Sequence, residues 1–290
     1  MLGKLFRVVL DSKTTLLKAE KGKRVWVNER QNVVLKCCWS KWNKISASRN
    51  HEFIQTNEYP YFPSISYVYR LGFLHFYMEE LLQGKKVVIA ETPFEMIPES
   101  INNLSKFHEG SSEIVDFDFD NELQKYHALL MDLPMELNEE ISGLFSLINE
   151  QLPKTARLKL GNIHGDLTFR NILISENQFN YIDFEHSEYS LPEFDYVMLR
   201  LDWEVYQYER VTYEKYFKIL ISYLKENILE DFYNQCPCDQ NNNMKFTREI
   251  LLLFIFRFLV YRINCNLYDE TEKVLLIVNY LHRKIGQYAK

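Results

Sequence analysis

Glycine is scarce here, nine in 290 residues, and none falls in the short turn Asp11-Ser-Lys-Thr-Thr15 near the N-terminus. Cysteine is equally uninformative as a framework. The five (37, 38, 236, 238 and 265) are an odd number, and neither Cys37-Cys38 nor Cys236-Pro-Cys238 has a second pair at zinc spacing. They are expected to be reduced, partly buried thiols. No apolar run is long enough to span a bilayer, since the longest, Ile250–Phe256, stops at Arg257. The first residues lack the apolar core of a secretory leader, so the expected location is cytoplasmic. There is no excess of positive charge either: the net charge is −6, which argues against nucleic acid as the main partner. Apolar residues make up 47% and charged residues 26%, a globular balance with enough chain to bury a sizeable core.

The densest chemistry lies in residues 164–185. His164-Gly-Asp-Leu-Thr-Phe-Arg-Asn171 is followed by Ile-Leu-Ile, then by Tyr181-Ile-Asp-Phe-Glu185. Two short apolar runs, 172–174 and 179–182, flank the polar stretch Ser175–Gln178 and read as a hairpin. With its turn centred on Asn177, Asn171 is expected opposite Asp183. Opposed Cα atoms lie about 4.5–5.5 Å apart, so these two oxygen donors are candidates to hold one hard cation, for which Mg²⁺ is suited. Asp166, five residues before Asn171, is expected beside that ion, where it can meet a substrate hydroxyl.

The spaced set H-G-D-x-x-x-x-N with a following D-x-E resembles the aminoglycoside phosphotransferase and choline kinase superfamily of small-molecule kinases. That resemblance implies an α+β, protein-kinase-like fold of two lobes. A small antiparallel-sheet lobe (1–80) would bind nucleotide, and a larger, mainly helical lobe (81–290) would carry catalysis and substrate. It implies ATP or GTP with Mg²⁺, Asp166 as catalytic base, and Asn171 and Asp183 as metal ligands. Glu185 becomes a second-metal or acceptor contact. His164 is expected to pack the loop, and Arg170 to contact phosphate or support the loop.

The first eighty residues read as strands at 5–10, 14–18, 24–28, 32–38, 65–70 and 73–79, with a helix over 44–57. A lysine in Asn32-Val-Val-Leu-Lys36 is either an edge residue facing water or the phosphate-binding lysine of a kinase-like lobe. The resemblance favours the second, with Glu52 on the helix as its ion-pair partner. It also puts the phosphate loop at 11–15, where Ser12 and nearby backbone N–H groups replace glycines. Phe76–Gly84 resembles the adenine-binding hinge, with backbone contacts at Glu79 to Leu81.

Apolar spacing predicts a helix over 94–108, and the acidic stretch 111–120 reads as a surface loop. Helices are expected at 121–131, 136–151, 212–226, 246–265 and 269–287, with a strand at 157–160. His108 ends its helix either as a packing residue or as the histidine that family members carry there. Asp195 opens another helix after Pro192, where an acid suits the helix dipole by about 0.3–1 kcal/mol; related kinases use it to brace the catalytic loop. Glu185, Glu188, Asp202, Glu204 and Glu209 are acidic positions able to receive amines, or simply solvated faces.

Asp195 follows Asp183 by only twelve positions, and there is neither D-F-G nor A-P-E. That is too short for a protein-binding activation segment. The expected function is ATP-dependent phosphorylation of a hydroxyl on a small polar molecule: an aminoglycoside, an amino alcohol such as choline, or a sugar. The alternatives are an inactive kinase-like nucleotide-binding protein and a protein kinase.

Overall fold

A computed structural model describes residues 2–20, 22–57, 59–63, 66–87, 96–130, 133–175, 178–206, 212–225, 247–264 and 270–288. Cys236, Cys238, Cys265, Asn177, Glu209 and the Asn-rich break at 239–243 lie outside them. The chain divides into two compact units, Met1–Gly110 with Asn162–Ser190, and Ser111–Gly161 with Leu191–Lys290.

The first unit is built on a five-stranded antiparallel sheet in the order β1-β2-β3-β5-β4. Its strands are β1 (Thr15–Glu20), β2 (Lys23–Asn28), β3 (Val33–Cys38), β4 (Ser66–Leu71) and β5 (Leu74–Glu80). Side chains alternate between the two faces of a strand, and residues opposite one another share a face. The register of β2, β3 and β5 pairs Val25 with Lys36 and Lys36 with Tyr77. One face therefore carries Val33, Leu35, Met78 and Tyr69, the other Lys23, Lys36, Tyr77 and Glu79.

Helix α1 (Leu2–Val9) covers the apolar face, burying Leu5 and Val8 against Val33, Leu35, Tyr69 and Met78. This corrects the strand expected at 5–10. A short apolar run fits either period, and the i, i+3 pair Leu5–Val8 decides for helix because the uncovered sheet face needs a lid. Helix α2 (Lys41–Thr56) lies on the other face, with Ala47 against Cys38 and Tyr77. Ser40 caps it, accepting from the Asn43 N–H.

Residues beyond 80 are tied into the same unit. Strand β6 (Lys85–Lys86) pairs with β9 (Ile172–Ser175), and β9 pairs with β10 (Gln178–Tyr181). Helix α3 (Met96–Gly110) sends Phe107 against Phe53 and Phe62, and both of those touch Phe184. A cut after residue 80 would sever these contacts. His108 is buried beside Phe107, as a packing residue.

The second unit is mainly helical: α4 (Phe119–His127), α5 (Met135–Asn149), α6 (Glu193–Tyr206), α7 (Tyr213–Tyr223), α8 (Arg248–Arg262) and α9 (Thr271–Tyr288). Helix α8 is its centre, buried all round from Ile250 to Tyr261 and packed by α4, α5 and α7. A helix apolar on every side belongs inside a core. Its one buried cation, Arg257, sits over the rings of Tyr261, Phe194 and Tyr126. Among the described residues no helix is long and apolar enough to cross a membrane.

The acidic stretch expected as a loop is instead strand β7 (Glu113–Asp118), paired with β8 (Thr155–Ile163) from Glu113↔Leu160 to Asp118↔Thr155. Acids on its exposed side masked the alternation. Phe117, buried and in edge contact with Phe119 at 4.9 Å between centroids, anchors it.

Candidate active site

The side chains that carry chemistry meet on the α2 side of the sheet in the first unit. Lys36 Nζ lies 2.9 Å from Asp183 Oδ1, 3.2 Å from Glu79 Oε1 and 3.4 Å from Glu185 Oε1. Its expected partner Glu52 is elsewhere. That residue is exposed on the outer surface of α2, near His51. Helical spacing explains the correction, because the inward position on this stretch of α2 is Asn50, which is buried and donates to Glu79 Oε2 at 2.8 Å. The helix thus reaches the lysine through a carboxylate on β5.

Glu79 consequently enters the site by its side chain, not its backbone. Its backbone lies inside the sheet, between Val34 of β3 and Ser66 of β4. The Leu81 N–H is also engaged, donating to the Asn32 carbonyl at 3.0 Å. The Glu79 backbone and the Leu81 N–H are therefore engaged within the protein, unlike the base contacts expected there. Ser12 is displaced for a related reason. With α1 preceding it, the turn at 11–14 joins a helix to β1, and Ser12 is exposed there. The first sheet hairpin turns instead at Gly22, whose φ of +81° suits glycine. A Cβ at Gly22 would lie 2.5 Å from Ser40 Cβ, so the hairpin seats directly on the start of α2.

Sequence reading missed Lys23. It is buried and 2.5 Å from Glu185 Oε1. The register gives the signal that could have found it. Lys23 is two residues from Val25, which faces Lys36, so the two lysines are diagonal neighbours on one face. Two ammonium groups thus share three carboxylates, Glu79, Asp183 and Glu185. Burial acts to lower the Lys36 pKa, but Asp183, Glu79 and Glu185 outweigh it and hold the value well above the ordinary lysine range. For Lys23 burial is likewise overcome, chiefly by Glu185. Burial would raise the Asp183 carboxyl; Lys36 and Lys23 instead hold it well below the usual range.

The hairpin that delivers Asp183 is offset by one residue from the expected register. Gln178 pairs with Ser175 and Tyr181 with Ile172, and the Ile182 N–H donates to the Asn171 carbonyl at 3.0 Å. Asn171 therefore faces Ile182, and Asp183 lies one residue beyond. Asp183 has a left-handed backbone, φ +68°. Such a conformation costs a non-glycine residue about 1–3 kcal/mol and persists only where its surroundings impose it. Here both neighbours are fixed. The Ile182 carbonyl accepts from His164 Nε2 at 2.9 Å, and Phe184, fully buried, stacks on Phe53 at 4.9 Å and lies 4.6 Å from the His164 ring.

His164 has a defined tautomer. The Asp166 N–H reaches Nδ1 at 3.4 Å, so Nδ1 accepts and Nε2 carries the proton donated to Ile182. It ties the 164–171 loop to the strand that ends in Asp183. Gly165, φ +82°, makes the bend between them. Asn171 Nδ2 donates to the Asp166 carbonyl at 2.9 Å, which leaves its Oδ1 as the atom able to meet a cation. That amide oxygen and the partly exposed Asp183 carboxylate, 38% accessible, are hard oxygens of the kind Mg²⁺ prefers. No group of three or more His, Cys, Asp or Glu arranged for a metal occurs among the described residues, so such an ion would complete its shell with water or phosphate oxygen. Arg170 is exposed.

In the second unit, Asp195 is fully buried in the first turn of α6, and its N–H donates to the Pro192 carbonyl. Glu204 is taken by Arg200 at 2.7 Å and Asp202 is buried, so neither is a simple solvated acid. Glu193, also buried, has an Oε2 without a hydrogen-bond partner. Burial pushes its carboxyl up to about 7.

Residues 73–211 match the family described as phosphotransferase enzyme family. No curated protein matches the chain. Among solved structures, the choline kinase LicA from Streptococcus pneumoniae is 14% identical with a TM-score of 0.57, covering 99% of both chains. A thermostable mutant of the aminoglycoside phosphotransferase APH(4)-Ia, in ternary complex with ADP and hygromycin B, is 12% identical with a TM-score of 0.57, covering 98% of this chain and 97% of its own. Choline kinase from Cryptosporidium parvum is 12% identical with a TM-score of 0.51, covering 95% and 87%. Residues 73–211 thus resemble the phosphotransferase enzyme family, and the chain has the protein-kinase-like fold that aminoglycoside phosphotransferases and choline kinases share.

Proposed function

We propose that the chain transfers the γ-phosphoryl group of ATP to a hydroxyl of a small polar molecule. The observation that carries this reading is the Lys36–Asp183 pair at 2.9 Å, on the same unit as the Asp166–Asn171 loop and linked to it through His164 and Ile182. Lys36 would neutralise phosphate charge, held by Glu79. Asn171 Oδ1 and the Asp183 carboxylate would hold Mg²⁺, which supplies charge neutralisation to the β- and γ-phosphates. Asp166 would accept the acceptor's hydroxyl proton as its bond to phosphorus forms. Phosphoryl transfer passes through a loose transition state, so positioning and charge carry most of the catalysis. His164 supports the loop, without touching substrate.

The base-binding backbone moves from Glu79 and Leu81 to Leu82. Around it the Leu81 N–H is bound to Asn32 and the Gln83 carbonyl accepts from Asn180. The acceptor class is an amine-bearing alcohol, supported by structural neighbours that include choline kinases and a complex with hygromycin B. The buried, free thiols of Cys37 and Cys38 suit a reducing, cytoplasmic setting.

The test is ADP release by purified protein with ATP and Mg²⁺, across choline, ethanolamine, hygromycin B, simple sugars and a generic protein substrate. Acceptor-dependent ADP release that is lost in Asp166→Ala supports the reading. Nucleotide binding with no transfer to any acceptor would leave a kinase-like binding protein, and transfer to protein alone would make it a protein kinase.

A further inference from the structure

The buried cluster contains one cation more than phosphate neutralisation by Lys36 requires. Lys23 opens β2 on the same sheet face and contacts Glu185. A single oxygen, Glu185 Oε1, stands between the two lysines, 2.5 Å from Lys23 Nζ and 3.4 Å from Lys36 Nζ. Glu185 itself is only 8% exposed. A carboxylate at that depth keeps its charge only beside a cationic partner, since water cannot compensate it.

We propose that Lys23 is a positioning residue for Lys36: by taking the Glu185 carboxylate, it keeps that carboxylate from capturing the Lys36 ammonium. The inference rests on Lys36 being the phosphate-side lysine of the proposed function. When Asp183 turns to a cation, Lys36 loses its 2.9 Å partner and keeps Glu79 at 3.2 Å and the longer contact to Glu185 at 3.4 Å, whose oxygen lies nearer Lys23 at 2.5 Å. Its ammonium is then free to meet phosphate, provided Glu185 stays with Lys23. Remove the Lys23 charge and the nearest cation to Glu185 is Lys36, which is drawn inward, away from any nucleotide. Glu185 is on this view an internal counter-ion, and the contact to a second metal or to acceptor suggested by the D-x-E pattern is not its role.

A double-mutant cycle separates this from a direct phosphate contact. MgATP binding is measured by calorimetry for wild type, Lys23→Met, Glu185→Gln and Lys23→Met/Glu185→Gln, with thermal unfolding of each without nucleotide. Lys23→Met is expected to bind MgATP about tenfold more weakly, the size of one coupled charge contact, and to raise KM for ATP more than it lowers kcat. The double variant is expected to recover to within about threefold of Glu185→Gln, because the carboxylate that competes for Lys36 is then neutral. Without nucleotide, the double variant should unfold at a higher temperature than Lys23→Met. Unchanged binding by Lys23→Met would overturn the proposal. So would a double variant as weak as Lys23→Met, which would put Lys23 on the phosphate itself. If Lys23→Met does not fold, comparing the double variant with Glu185→Gln decides alone: matching affinities support the proposal and a further loss overturns it. A wild type that binds no nucleotide would defeat the phosphotransferase reading instead, while the unfolding temperatures still report whether Lys23 and Glu185 are coupled.

Discussion

Asn50 on α2 donates to Glu79 on β5 across 2.8 Å, and Glu79 in turn holds Lys36 at 3.2 Å. The helix therefore controls the lysine by a relay of amide and carboxylate. Asn50→Ala leaves a buried carboxylate oxygen short of a donor. It is expected to cost about 1–3 kcal/mol of stability in denaturant unfolding and to raise KM for ATP. Glu52→Ala, on the exposed side of the same helix, should change stability by no more than about 0.5 kcal/mol. A larger effect from Glu52 than from Asn50 would contradict the relay.

Asp166→Asn keeps the shape of the loop and removes the base. Turnover should fall by about 10²–10⁴, the range for a general base, while nucleotide affinity stays near that of wild type. Single-turnover kinetics beside nucleotide binding would check this, and parallel losses in both would place Asp166 on the nucleotide.

Acid sensitivity should follow Asp183. Its carboxyl is held well below the ordinary value of 3.8 by Lys36 and Lys23 against the opposing effect of burial. A group lowered on folding contributes stability that is present above its unfolded value and lost as pH falls through the folded one. Asp183→Asn removes that dependence. Its unfolding free energy should decline less than that of wild type below about pH 4, where the unfolded-state carboxylate titrates. Equal acid slopes in the two proteins would show that Asp183 is not paired with the lysines in solution.

Glu193 gives the opposite sign in the second unit. Burial raises its carboxyl from 4.5 to about 7, so the folded state binds its proton more tightly than the unfolded chain. Stability should therefore decrease as pH rises from 4.5 to 7 and level off above that. The full effect is about 3 kcal/mol, from roughly 1.4 kcal/mol per unit. Glu193→Gln, neutral throughout, should flatten the profile across that interval in urea unfolding.

Much of this site was legible because its parts are local. His164, Asp166, Asn171, Asp183 and Glu185 fall within 22 residues, and the strand holding Lys36 has a clear apolar pattern. The partner of Lys36 was not, because it depends on sheet register between strands over forty residues apart, and Tyr-Met-Glu79-Glu80 does not announce which glutamate points inward. The hairpin centre shows how fine the margin is. Placing it on Asn177 instead of between 176 and 177 shifts Asn171 from Ile182 to Asp183. Helix α1 was hidden for another reason: an apolar run of six residues carries no decisive period until the face it covers is known.

The alternation of the sheet makes the spacing of β3 a constraint on length as well as on identity. A residue inserted in the turn at 29–32 would lie outside the ladder and could be absorbed by the loop. One inserted between Val34 and Lys36 would invert everything after it, turning the ammonium toward Leu5 and Val8 and an aliphatic side chain toward Glu79. Insertion scanning along 29–38 should accordingly show tolerance that ends abruptly at the first ladder pair, Asn28↔Val33.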